Sequence, residues 1–113
     1  MIKPGYTYRA EVISVYDGDT ITVDIDLGLG VWVCGQTLRL YGIDTPELRG
    51  EERPEGLKVR DWLLEKLMGR PIVVQTLKDD KGKYGRWLAI VWLDGENVND
   101  ELLLSGRAKP YGL

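Results

Sequence analysis

Ile21, Val23 and Ile25 alternate with Thr22, Asp24 and Asp26 directly after the dipeptide Asp17-Gly18. Strict alternation that starts from a turn dipeptide predicts a half-buried strand. This signature recurs along the chain and constrains the fold more than any other feature. Residues 6–16 read as a strand with Ala10, Val12 and Ser14 on one parity. Gly28 and Gly30 mark a bend or bulge. Residues 31–33 and 37–43 read as one strand interrupted at Gly35. Residues 72–77 and 86–93 are short apolar runs, and Asp94-Gly95 is a hairpin signal.

A different period appears between the third and fourth runs. Residues 57–68 predict a helix, with Val59, Leu63 and Leu67 four apart and Trp62, Leu64 and Met68 widening the stripe. Gly69 and Pro71 close it. The stretches 48–56 and 78–85 read as charged loops. Asn99 is expected to cap a short helix through Ser105, with Gly106 closing it. Five short, mostly antiparallel strands with the main helix after strand 3 predict a mainly β (α+β) fold. The expected architecture is a five-stranded OB-type barrel with a short C-terminal helix. The 113 residues supply one core, so residues 1–113 form a single domain without repeat or linker.

Composition narrows the chemistry. There is no histidine and one cysteine, Cys34. That excludes Ser-His-Asp and Cys-His catalysis, histidine-ligated zinc and an internal disulfide. A net charge of −3 counts against a basic, sequence-blind nucleic-acid binder. The first ten residues show no signal peptide, and no apolar run approaches the ~20 residues of a membrane span. The expected setting is cytoplasmic or phage-encoded and intracellular, with secretion open if a leader was removed, and no membrane partner. A monomer is expected. The apolar segment around Trp32 offers a surface for a weak dimer, or else packs over the barrel end.

Three segments carry the candidate chemistry. Asp17-Gly18-Asp19-Thr20 enters a strand, residues 39–47 run off the end of one, and Lys83-Tyr84-Gly85-Arg86 leads into another. Asp19 has the parity of Ile21, and Asp44 has that of Leu38 and Leu40. Two inward-leaning carboxylates at strand ends invite a hard cation, Ca²⁺ or Mg²⁺. The alternative is that both are ordinary turn aspartates. Arg39 and Arg86 suit bidentate phosphate contact, or else pair with the nearby acids. Without histidine, Glu47 is the candidate to activate water, or else an exposed loop charge.

Taken together and in order, these segments resemble the thermonuclease family, the staphylococcal-nuclease-like domains. Further matching parts are Asp94-Gly95, Val98-Asn99 and Ala108-Lys109. The resemblance implies an OB barrel and a calcium-dependent nuclease acting on DNA and RNA, favouring single strands and leaving 3′-phosphates. It implies Asp19, Asp44 and the Thr45 carbonyl as Ca²⁺ ligands. It also implies Arg39 and Arg86 as phosphate-binding arginines, Glu47 as general base, and Lys83 and Tyr84 as nucleotide contacts. Tyr111, set one residue tighter after Lys109 than the family spacing, is carried over as a further substrate contact. The segment after Glu47 is short and mixed in charge where secreted relatives carry a longer lysine-rich loop. The competing expectation is a non-catalytic module of the same fold that binds single-stranded nucleic acid or protein.

Overall fold

The computed structural model describes residues 4–78 and 87–111. In chain order they form β1 (Pro4–Asp17), β2 (Thr20–Asp26), β3 (Trp32–Leu40), β4 (Ile43–Asp44), α1 (Arg53–Leu67), β5 (Pro71–Lys78), β6 (Trp87–Leu93), β7 (Glu96–Asn97), α2 (Val98–Leu104) and β8 (Lys109–Pro110). The five long strands make the barrel. Antiparallel pairing runs β3-β2-β1-β5-β6, and β3 closes onto β6 in parallel through Leu38–Leu40 and Trp87–Ala89. The expected mainly β barrel, with one helix after strand 3 and a short one near the C-terminal end, is therefore present.

Alternation supplies the core. Ala10, Val12, Ile21, Val23, Ile25, Leu38, Leu40, Ile72, Val74, Ala89 and Val91 all face inward. Helix α1 packs its Val59-Leu63-Leu67 stripe into the same cluster. Leu64 and Met68 stay exposed, so the stripe is narrower than residues 57–68 suggest. Met68 leaves the helix in an extended conformation and Gly69 follows at φ 75°, the left-handed stop expected there.

Three local readings need correction. Helix α1 begins at Arg53, not Leu57, because Pro54 occupies the first turn, where its missing N–H costs nothing. Asn97, not Asn99, caps α2 by accepting a hydrogen bond from the Asp100 amide at 3.0 Å. Asn99 is 4% exposed and serves the core instead. It accepts from Val91 N and donates to the carbonyls of Ala89 and Tyr41, each at 3.0 Å. Third, the run 37–43 breaks at Tyr41-Gly42, where Gly42 has φ 78°. The offset reverses parity, so Ile43 is buried and Asp44 faces outward.

Trp32 is 43% exposed, beside exposed Leu29, Val31 and Val33. Among the described residues no helix is long and apolar enough to cross a membrane.

Candidate nucleic-acid cleavage site

One end of the barrel brings the β1–β2 turn, the end of β3, β4 and the start of α1 together. Gly18 permits this approach. A Cβ on it would lie 2.5 Å from Val59 Cγ1 and 2.8 Å from the Thr45 side chain. The turn is drawn tight by the Asp19 amide, which donates to Asp17 Oδ1 at 3.1 Å.

Asp19 is 4% exposed, as its inward parity predicts. A buried carboxylate needs partners, and among the described residues it has three. The Thr20 hydroxyl donates to Oδ1 at 3.1 Å, the Thr45 amide donates to Oδ2 at 3.2 Å, and Arg39 Nη1 sits 3.2 Å from Oδ2. Arg39 donates through Nη2 to the Ile43 carbonyl at 3.2 Å and approaches Asp44 Oδ1 at 3.8 Å. One guanidinium therefore joins the buried aspartate to the exposed one, whose side chain is 51% accessible. The salt-bridge alternative for Arg39 is realised, whereas Asp44 does not lean inward as its parity predicts and is joined to Asp19 through the guanidinium.

Tyr111 follows β8 and donates its amide to the Gly42 carbonyl at 2.9 Å. Its ring lies 5.0 Å from Arg39 Cζ, a cation–π contact that sets Tyr111 against the same guanidinium. Glu47 is exposed and lines the cleft with Tyr16, Asp17, Asp19, Thr20, Arg39 and Asp44, enclosing about 200 Å³. Behind it, Gly56 of α1 lies against the Pro46–Glu47 backbone. A Cβ on Gly56 would come within 2.8 Å of the Pro46 carbonyl oxygen and closer still to that of Glu47. Arg53 Nη1 donates to the Leu48 carbonyl at 2.7 Å, tying the same loop from the helix side.

Asp17 is the site acid that sequence reasoning left without a role. Burial pushes its carboxyl up from 3.8 to about 6, and the hydrogen bond and charge of Asp19 push the same way. Its place in the Asp17-Gly18-Asp19 motif was the available signal. The cleft is thus rich in carboxylate charge, yet no three acidic, histidine or cysteine side chains among the described residues form a ready metal cage. The donors on offer are oxygens, from Asp19, Asp44 and the Thr45 backbone, which is the set a hard divalent cation takes. Thr45 Oγ1 is buried with no hydrogen-bond partner among the described residues. The donor chemistry fits Ca²⁺, with a shell that solvent or substrate has to complete. Lys83, Tyr84 and Arg86 lie outside the described residues.

Comparison with known proteins bears on this geometry. Residues 37–112 match the family model described as staphylococcal nuclease homologue. The thermonuclease of Staphylococcus hyicus is 39% identical over 110 residues, covering 93% of this chain and 60% of that protein. The thermonuclease of Staphylococcus intermedius is 36% identical over 104 residues, covering 86% of this chain and 57% of that protein. Endonuclease Htp3 of Saprolegnia parasitica is 32% identical over 121 residues, covering 93% and 56%. The chain spans about 60% of the length of these curated relatives.

Proposed function

The chain belongs to the staphylococcal nuclease homologue family, and from that premise we propose that it is a calcium-dependent nuclease that hydrolyses phosphodiester bonds of DNA and RNA. Single strands are its preferred substrates and 3′-phosphates its products. The observation that carries the reading is the pairing of buried Asp19 and exposed Asp44 through Arg39, in a cleft that Glu47 also lines.

Asp19, Asp44 and the Thr45 carbonyl would hold the cation. Bound there, Ca²⁺ supplies positive charge to a phosphate oxygen and a fixed template for the substrate. Arg39 binds the scissile phosphate. Its contact to Asp44, at 3.8 Å, is longer than a hydrogen bond, so that edge of the fork is open to a phosphate oxygen. Asp19 and the Ile43 carbonyl keep the guanidinium in place. As negative charge grows on the phosphoryl oxygens, a preoriented arginine stabilises it more than it stabilises the ground state. Arg86 is the second arginine in this assignment. Glu47, open to solvent at the cleft, orients a water for in-line attack and accepts its proton. Lys83, Tyr84 and Tyr111 contact the nucleotide. Tyr111 does so from its seat on Arg39.

The test is digestion of heat-denatured DNA and of RNA by the chain, with EGTA and then with excess Ca²⁺. Activity should vanish with the chelator, return with Ca²⁺, and fall at least a hundredfold in Arg39→Ala and Glu47→Ala. Activity that survives the chelator or both substitutions overturns the assignment. Binding of single strands without turnover under Ca²⁺ would establish the non-catalytic module instead.

A further inference from the structure

Tyr16 and Asp17 are consecutive residues of β1, and both line the cleft. A regular strand cannot do this, because neighbouring side chains point to opposite faces. The β1–β2 register shows how it is achieved. Val15 pairs with Ile21 and Asp17 pairs with Thr20, so Tyr16 is an extra residue with no partner on β2. A bulge of this kind forfeits ladder pairing and re-aims a side chain, which is why bulges gather beside active sites. The side chain re-aimed here is a tyrosine left 69% exposed. It contributes little to the core, and its ring is left available at the cleft.

We propose that Tyr16 is a stacking platform for a nucleobase next to the scissile phosphate. The inference rests on the nuclease reading above and adds to it a substrate contact on the β1 side of the cleft, separate from Tyr111 on Arg39. The cleft around Tyr16 is polar and charged, with Asp17, Asp19, Thr20, Arg39 and Glu47. Its exposed aromatic face therefore meets the flat face of a base while the phosphate lies against Arg39. Stacking of this kind is tolerant of sequence, because every base presents a π-face, and it needs bases that are unpaired. Tyr16 thus supplies a physical reason for single-strand preference in a chain with net charge −3.

The experiment compares wild type, Tyr16→Ala and Tyr16→Phe on a short single-stranded DNA oligomer and on its fully abasic counterpart, under Ca²⁺. Steady-state cleavage gives kcat and KM, and anisotropy of labelled oligomers with the same three proteins in a Glu47→Ala background gives binding without turnover. Tyr16→Ala should raise KM for the base-bearing oligomer roughly 5- to 100-fold, with the effect in KM rather than kcat. Tyr16→Phe should restore it, because the ring and not the hydroxyl is used. On the abasic oligomer the three proteins should agree. Equal KM for wild type and Tyr16→Ala on the base-bearing strand overturns the proposal, and so does an equal loss on the abasic strand. If wild type cleaves neither strand, the nuclease reading fails on its own. The anisotropy contrast between strands then still confirms or overturns Tyr16 as the stacking residue. Unchanged melting temperatures separate these outcomes from misfolding.

Discussion

Gly56 offers a way to separate stability from catalysis in one substitution. It lies in the first turns of α1, where glycine is worse than alanine by about 1 kcal/mol. Helix propensity alone therefore makes Gly56→Ala stabilising. The packing opposes it. The new Cβ would sit 2.8 Å from the Pro46 carbonyl oxygen and 2.9 Å from the Glu47 carbonyl carbon, inside the 3.0 Å that real Cβ atoms respect. These neighbours are backbone, so relief requires the Pro46–Glu47 segment to retreat from the helix. Overpacking of this kind costs about 1–3 kcal/mol, which leaves a net loss of about 0–2 kcal/mol against the propensity gain. Catalysis should suffer more, because the segment that moves carries Glu47. A misplacement approaching 1 Å can cost about a hundredfold in rate, so kcat should drop some 10- to 100-fold while the fold survives. Urea denaturation reads the stability, and cleavage of a saturating single-stranded oligomer under Ca²⁺ reads kcat. The decisive control is a cycle with Glu47→Ala, in whose background Gly56→Ala should cost nothing further if it acts through Glu47. A Gly56→Ala protein that is more stable by about 1 kcal/mol and fully active would refute the reasoning.

The same contact shows which parts of the molecule were legible in the chain and which were not. Barrel strands announce themselves because each inward position is settled by a local alternation, as in Ile21-Val23-Ile25. The α1 stripe and the left-handed stops at Gly69 and Gly106 are equally local. The start of α1 is not. Pro54 and Gly56 carry the same local signal in a loop as in a helical first turn, and only the approach of Pro46–Glu47 makes a helical glycine useful. Asp44 was misplaced for a related reason, since one left-handed residue at Gly42 reverses every parity beyond it. Asn97 and Asn99 are alike as caps. Their roles separate only through Val91, Ala89 and Tyr41, which the sequence cannot place beside Asn99. At the cleft, Asp19 was legible as an acid on an apolar parity. Tyr16 was not, because its placement depends on how β1 pairs with β2.

Two further substitutions probe the interior and the cleft. Asn99→Leu would leave Val91 N and the carbonyls of Ala89 and Tyr41 without their shared partner, and should lower stability by about 2–4 kcal/mol. A shift in the urea midpoint worth less than about 1 kcal/mol would show that the network is dispensable. Asp17→Asn addresses the charge crowding of the cleft through pH. The Asp17 carboxyl titrates at about 6 in the folded chain against 3.8 ordinarily, so the native state holds this proton more tightly than the unfolded chain does. Stability from that source is complete below 3.8 and is lost as pH rises through 6. The wild type should therefore become less stable than Asp17→Asn between those values. The full shift corresponds to about 3 kcal/mol, and the partial opening of the cleft to solvent reduces this to about 1–2 kcal/mol at pH 8. Melting in EGTA from pH 4 to pH 8 reads the difference without interference from a bound cation. A gap between the two proteins that stays constant over that range, or one that favours wild type at pH 8, would mean that Asp17 is not held near Asp19 in a poorly solvated cleft.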